Sequence, residues 1–254
     1  MSRNFELLQK LGKEQDMLPG DGGPMPLPEP VEQRPMELRP PQLKMDPAQK
    51  DEVTKLVQRL FLAAGADVSR VVVVTSIEAG SGSSWICARI GEILASQISA
   101  SVCVVDANLG APGLHQQFAV ENHHGLSNAL RDTGSLRQFV RPVRGENLWL
   151  LSCGAESSDW KMLVGSDRMQ MRIAELRQEF DYVLIDAPAL NSSNDGVMLG
   201  CAADGVVLVL KANSSRRGTA RKAMHELERA KIKVLGAVLN QRTFPIPQGV
   251  YDRL

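Results

Sequence analysis

Residues 71–84 read VVVVTSIEAGSGSS, four valines followed by a turn that is rich in glycine and serine. The valine run predicts a buried strand, and an apolar stripe predicts a helix from Ser84 to Gln97. A strand, a glycine-rich turn and a helix N-terminus in this order bring backbone N–H groups and the helix dipole to one anion. The stretch therefore predicts either a phosphate-binding loop or a plain turn with Ser83 or Ser84 as N-cap.

The rest of the chain alternates between short apolar runs and amphipathic stretches. Further strands are predicted at residues 102–105, 148–151, 182–185, 206–210 and 234–239, and further helices at about 48–63, 167–180 and 217–230. The runs lack polar alternation, which is typical of parallel strands covered on both faces. This pattern predicts an α/β fold with a doubly wound, mostly parallel sheet, helices on both faces and ligands beyond the carboxyl ends of the strands.

Composition narrows the classes of partner and location. The 29 basic and 29 acidic residues balance, so bulk charge indicates neither nucleic acid nor anionic membrane as a partner. The four cysteines lack a Cys-x-x-Cys spacing and are interpreted as reduced core thiols: Cys87, Cys103, Cys153 and Cys201. No apolar stretch reaches the roughly 18 to 20 residues that span a bilayer, and no signal peptide is recognisable. We therefore expect no direct membrane insertion and a cytoplasmic location.

Four segments are predicted along the chain. Residues 1–17 form an N-terminal helical segment, a candidate tether or docking helix, and residues 18–46 form a linker that is rich in proline and glycine. Such a linker is too poor in core residues to fold alone, and a spacer is favoured over a ligand for proline-recognition domains. Residues 47–243 form the α/β domain, and residues 244–254 form a C-terminal tail.

Two acidic residues end predicted strands beside the glycine-rich turn. Asp106 follows the strand at 102–105, and Asp186 follows the strand at 182–185. Carboxylates in these positions are placed to handle Mg²⁺ or an attacking hydroxyl group. Together with the turn they favour a nucleotide site over a plain turn, because independent features then agree.

The turn departs from the usual phosphate-binding motif at one position. Gly-x-x-x-x-Gly-Lys-Ser/Thr carries a lysine that bridges the β- and γ-phosphates, and Ser83 occupies that position here. Catalysis is therefore expected to fall steeply. Arg216 and Arg217 are candidates for part of the missing positive charge, although a solvated helix end is the favoured interpretation.

From about Gln49 to Arg242 the chain resembles the bacterial tyrosine kinases of capsule and exopolysaccharide biosynthesis, P-loop NTPases related to the MinD and ParA ATPases. The resemblance lies in five stretches: the glycine loop at 76–84, a Walker A′ block at 104–115, a Walker B block at 180–188, and the segments 203–209 and 236–240.

The resemblance implies ATP and Mg²⁺ as cofactors and assigns residues to them. It implies catalytic roles for Asp106 and Asp186. It implies that Mg²⁺ is held by Ser84, Asp106 and Asp186. It implies nucleotide contacts from Gly80, Ser81, Gly82, Ser83, Ser84 and Asn240, with Asn240 at the adenine.

The resemblance also implies a partner and an assembly. Family members work beneath a membrane polysaccharide co-polymerase that regulates chain length, form homo-oligomeric rings and phosphorylate tyrosines in their C-terminal tails. A location peripheral to the inner membrane, through that partner, follows.

This chain departs from the family pattern at Ser83, Asn108 and Gly110, which reduces the number of charged groups around the γ-phosphate. Its tail contains a single tyrosine, Tyr251. Glu52, Lys55 and Gln58 stand where ring-forming members carry a glutamate and two arginines.

These departures favour a degenerate relative, weakly active or inactive, that acts as a regulator or adaptor of the co-polymerase. The alternative is an active protein-tyrosine autokinase, for which Asp106, Asp186 and Ser84 are retained. A positioning ATPase of the MinD/ParA type is disfavoured, because Ile77 and Glu78 stand where such proteins carry a second lysine.

Overall fold

A computed structural model describes residues 45–62, 68–155 and 160–242. The predicted N-terminal segment at 1–17, most of the linker at 18–46 and the tail at 244–254 lie outside the described residues. None of the helices within the described residues has the length and apolar composition of a bilayer-spanning segment.

The described residues form one sheet of seven strands in the order β3-β4-β2-β5-β1-β6-β7. The strands are β1 Val71–Ser76, β2 Val102–Asp106, β3 Arg141–Arg144, β4 Leu148–Leu151, β5 Tyr182–Asp186, β6 Gly205–Lys211 and β7 Val234–Asn240. All neighbours are parallel except β3 and β4, which are antiparallel. The predicted doubly wound α/β architecture is confirmed.

Helices connect the strands on both faces of the sheet. They are α1 Pro47–Val57, α2 Ser83–Gln97, α3 Leu114–Phe118, α4 Leu126–Ala129, α5 Trp160–Val164, α6 Asp167–Glu179, α7 Asp195–Cys201 and α8 Arg217–Arg229. A π-helical turn at Gln58–Leu62 continues α1, and a 3-10 turn lies at Leu136–Gln138. The helix α1 begins at a capping box, in which Asp46 and Gln49 accept each other's backbone N–H groups.

Burial on both faces explains why β1 shows no polar alternation. Val72 and Val74 pack in a layer with Ile86 and other residues of α2, whereas Val71 and Val73 pack in a layer on the opposite face. All six residues of β1 are buried. A strand covered on both sides is apolar throughout, as the valine run predicts.

The structure differs from the sequence expectations mainly at the edges of the sheet. The edge strand β3 was not predicted, because its sequence Arg-Pro-Val-Arg has no apolar run, and charges and proline are tolerated where one side of a strand is unpaired. At the other edge, β7 is only half covered, and Leu239 is 59% exposed. The expectation of four core thiols is wrong for Cys201, which is exposed, whereas the other three are buried.

Candidate functional site

The glycine-rich loop leaves β1 in an ordered conformation. The N–H of Ile77 donates to the carbonyl of Val209 on β6 (3.3 Å). The Ser76 and Ser81 hydroxyls both donate to the Glu78 carbonyl, at 3.0 and 2.7 Å. The hydroxyl of buried Ser81 therefore stabilises the turn between Glu78 and Ser81.

Two glycines give the loop its shape. Gly80 and Gly82 have φ angles of +77° and +83°, in the left-handed region that other residues enter at a cost. Gly82 is also the N-cap residue of α2 and provides no side-chain cap. The alternative of a serine N-cap is therefore wrong, since Ser83 and Ser84 are the first two residues of the helix.

The backbone N–H groups of residues 80–84 donate to no acceptor within the described residues. The first N–H to close a helical turn is that of Ile86, which donates to the Gly82 carbonyl (3.0 Å). These N–H groups lie at the positive end of the dipole of α2, a helix of 15 residues. The arrangement is suited to binding an anion such as phosphate.

The end of β7 holds the loop from the outside. The side-chain amide of Asn240 donates to the Ser81 carbonyl (2.9 Å), and that of Gln241 donates to the Gly80 carbonyl (3.0 Å). A Cβ at Gly82 would collide with the Asn240 amide. Sequence reasoning missed Gln241 and the loop contact of Asn240, because these partners are about 160 residues apart. The contact of Asn240 with adenine stays a prediction.

The two predicted carboxylates lie side by side. Asp106 and Asp186 are register partners on β2 and β5, and both are fully buried. Asp106 accepts hydrogen bonds from the backbone N–H groups of Gly113 (3.0 Å), Leu114 (2.9 Å) and Asn108 (3.3 Å). The loop after β2 therefore fixes its orientation.

Asp186 is far less satisfied than its neighbour. Neither of its oxygens has a hydrogen-bond partner of good geometry within residues 45–62, 68–155 and 160–242. Burial and the charge of Asp106 raise the pKa of Asp186 well above its usual value, and the Ser84 hydroxyl opposes this rise. Burial also raises the pKa of Asp106 to about 6, against the lowering effect of its N–H donors. Such a pair requires a cation or a shared proton.

Ser84 lies beside this pair, and its role as a ligand of Mg²⁺ stays a prediction. Its Oγ lies 3.3 Å from the position that a Cβ on Gly113 would take, and it influences the pKa of Asp186. Within the described residues no three His, Cys, Asp or Glu side chains cluster to hold a metal ion. A cation here would therefore have two carboxylates and one hydroxyl, an oxygen set that suits Mg²⁺ completed by phosphate and water.

Positive charge is scarce around the carboxylates. No ion pair within the described part of the chain joins Asp106 or Asp186 to a lysine or arginine. Trp85, in the first turn of α2, packs against the Arg89 guanidinium (5.0 Å to the ring centre), and Arg89 pairs with Glu92 (2.8 Å). The site thus combines buried acids with backbone N–H groups, and residue 83 has a neutral hydroxyl.

Comparisons with known proteins find related sequences. A family model described as cellulose biosynthesis protein BcsQ matches residues 69–229. The tyrosine-protein kinase YwqD of Bacillus subtilis (strain 168) is 32% identical over 169 residues, which cover 66% of this chain and 71% of that kinase.

Two solved structures have the same fold. The kinase domain of the Escherichia coli tyrosine kinase ETK has a TM-score of 0.72 at 22% identity, covering 78% of this chain and 79% of that one. The septum site-determining protein MinD from Pyrococcus horikoshii OT3, solved with Mg-ADP, has a TM-score of 0.58 at 21% identity, covering 72% of this chain and 76% of that one.

Proposed function

Because the chain belongs to the bacterial tyrosine kinase family of MinD-related P-loop NTPases, we propose that it binds Mg-ATP between residues 80–84 and the pair Asp106 and Asp186. In this proposal nucleotide binding regulates a membrane polysaccharide co-polymerase of capsule or exopolysaccharide export, and phosphoryl transfer to tyrosine is weak or lost. The chain acts on the cytoplasmic side of the inner membrane through that partner, as a homo-oligomer.

The observation that carries the proposal is the juxtaposition of two unsatisfied sets of groups. The oxygens of Asp186 lack a donor of good geometry, and the N–H groups of residues 80–84 lack an acceptor, within the residues that the structure describes. A cation or a shared proton would satisfy the carboxylates, and an anion would satisfy the N–H groups. A magnesium-bound polyphosphate supplies both, which supports nucleotide binding over a plain strand-to-helix turn.

Weak catalysis is expected from the charges that this chain lacks. The Ser83 hydroxyl is neutral, so the loop provides no ammonium group for the charge that develops on a transferred phosphoryl group. Asn108 and Gly110 change the Walker A′ block in addition, and Tyr251 is the only tyrosine of the tail. Mg²⁺, when bound, would neutralise phosphate charge but would not replace the missing lysine.

The residues of α1 that correspond to the ring contact of the family favour a weaker homo-oligomer. Lys55, on the exposed surface of α1, forms ion pairs with Asp51 (2.7 Å) and Glu52 (3.0 Å) of its own helix. These groups have partners within one chain, so they are less available to a second copy. The proposal therefore expects a small or weak oligomer.

An active autokinase is the second candidate. It is favoured by the grouping of Asp106, Asp186 and Ser84, which is the set that a magnesium-dependent kinase would retain. The two candidates share nucleotide binding and differ only in the transfer of the γ-phosphate to tyrosine.

Calorimetric titration of the full chain with Mg-ATP, paired with transfer of γ-labelled phosphate, separates them. We expect binding and at most trace labelling. Labelling of a tyrosine that is abolished in Asp186→Asn would establish the autokinase instead. Absence of Mg-ATP binding would overturn the nucleotide site and leave a structural adaptor.

Restoring the lysine is a second test. Ser83→Lys is expected to raise ATP hydrolysis, because it returns an ammonium group to a loop whose neighbours Asp106, Asp186 and Ser84 are retained. Ser96→Lys adds the same charge at the opposite, exposed end of α2 and is the matched control. Equal rates of ATP hydrolysis in the two variants would show that the serine at position 83 is not the cause of weak catalysis.

A further inference from the structure

A lysine stands at the end of the strand next to the glycine-rich loop. Lys211 is the last residue of β6, the strand between β1 and β7. Its register partner on β7 is Asn240, and the N–H of the next residue, Ala212, donates to the Asn240 carbonyl (2.8 Å). Lys211 therefore lies beside the residue that holds the loop.

The loop crosses the end of β6. It starts from β1 with the hydrogen bond between Ile77 and Val209, and it reaches β7 where Asn240 donates to Ser81. Because β6 lies between these two strands, the segment from Ile77 to Ser81 spans the carboxyl end of β6. Lys211 occupies that end.

The side chain of Lys211 leaves the sheet on the face of α2. Val207 and Val209 belong to the apolar layer that contains Ile86 of α2, and alternate residues of a strand share a face. Asn240 follows the same rule on β7, since Val238 packs against that layer and the Asn240 side chain reaches the loop. The alternation thus extends to the ends of both strands.

The Lys211 ammonium has no ion pair or side-chain hydrogen bond within residues 45–62, 68–155 and 160–242. The side chain is half-buried, in contrast with those of Arg216 and Arg217, which are exposed at the start of α8. A lysine stem is long and flexible enough to direct its charge toward a neighbouring anion. Of Lys211, Arg216 and Arg217, only Lys211 lies in the sheet, as the register partner of Asn240.

We propose that Lys211 supplies the phosphate-binding ammonium group that position 83 lacks. The ligand class is a nucleoside di- or triphosphate, and the inference rests on the nucleotide binding proposed above. In this proposal the phosphate-binding cation lies at the end of β6 and not at the first residue of α2. Lys211 therefore contributes to affinity for phosphates, while the loop N–H groups still form the cradle.

Calorimetry on Lys211→Met with ADP, ATP and adenosine tests this inference. A charge-assisted phosphate contact is worth enough that we expect ADP and ATP to bind about 10- to 100-fold more weakly, with adenosine unchanged. Lys211→Arg is expected to retain affinity within about threefold, because it keeps the charge. Lys231→Met removes one charge from the exposed turn before β7, at the opposite end of that strand, and should leave ADP affinity unchanged.

A double variant distinguishes loss of charge from loss of structure. Ser83→Lys in the Lys211→Met background should recover at least about tenfold of the lost ADP affinity, whereas a misfolded variant would recover nothing. Wild-type ADP affinity in Lys211→Met would overturn the inference and leave the proposed function standing. Failure of the wild-type chain to bind ADP at all would overturn both.

Discussion

Asp106 and Asp186 occupy partner positions on β2 and β5, yet only Asp106 is held by backbone donors. The two acids share one buried edge of the sheet without a lysine or arginine partner in the described residues. Burial raises the pKa of both carboxyl groups, so we expect the stability of the chain to depend on pH.

The free energy of unfolding of the metal-free chain should fall as the pH rises from about 5 to 7. Burial raises the pKa of both carboxyl groups, that of Asp106 to about 6, so the folded state holds protons that the unfolded state has released. Their stabilising contribution is full below the unfolded pKa of roughly 4 and is lost as the pH passes the folded pKa. Denaturant titrations in EDTA at several pH values measure the fall.

Asp186→Asn is the control for this pH dependence. The amide stays neutral, so the variant should become more stable than the wild type by about 1–3 kcal/mol on going from pH 5 to pH 7. Parallel curves for the two proteins would show that Asp186 does not cause the fall. Mg-ADP should flatten the wild-type curve, because a cation stabilises the ionised pair.

Substitution of the two left-handed glycines should have unequal effects. Gly80→Ala incurs only backbone strain, since no atom lies within 4 Å of the added Cβ, and should cost about 1 kcal/mol of stability. Gly82→Ala adds the collision with Asn240 and should cost roughly 2 kcal/mol or more, with weaker ADP binding. Thermal unfolding and ADP calorimetry measure both. Equal losses would contradict the described contact.

Asn240→Ala should relieve part of the damage caused by Gly82→Ala. The single variant Asn240→Ala loses the hydrogen bond to Ser81 and should destabilise the chain by about 1 kcal/mol. The double variant should lose less than the sum of the two single variants, because the collision is gone. Strictly additive losses in the double-mutant cycle would argue against the contact.

Asp204→Asn should affect stability without affecting nucleotide affinity. Asp204 lies beside the start of β1 and accepts hydrogen bonds from the backbone N–H groups of Arg70 (2.7 Å) and Val71 (2.8 Å). It also forms an ion pair with Arg177 (2.7 Å). Burial opposes its ionisation, but these partners outweigh it and lower its pKa, so its contribution is lost as the pH falls below about 4. We expect a loss of about 1–3 kcal/mol at pH 7 and unchanged ADP binding. A changed affinity for ADP would show that the contacts of Asp204 at the start of β1 influence the proposed nucleotide site.

The sequence was informative where one local pattern determines structure. The valines of β1, the turn at Gly80 and Gly82, and the acid that ends each of β2 and β5 could be read directly, because parallel strands place their carboxyl ends at one edge. The contact of Asn240 and Gln241 with the loop could not, since it joins distant segments through single hydrogen bonds. The position of Lys211 beside Asn240 could not be read either, since it depends on the register of β6 against β7.

The two amide contacts from the end of β7 also determine what a ligand encounters. Because Asn240 and Gln241 bind the carbonyl side of the Gly80 and Ser81 peptides, the loop loses its conformational entropy when the sheet forms. Little disorder then remains to be removed by an arriving anion, and preorganisation of this kind strengthens binding without adding a contact. If residues 80–84 bind phosphate as proposed, this rigidity offsets part of the affinity that is lost with the lysine.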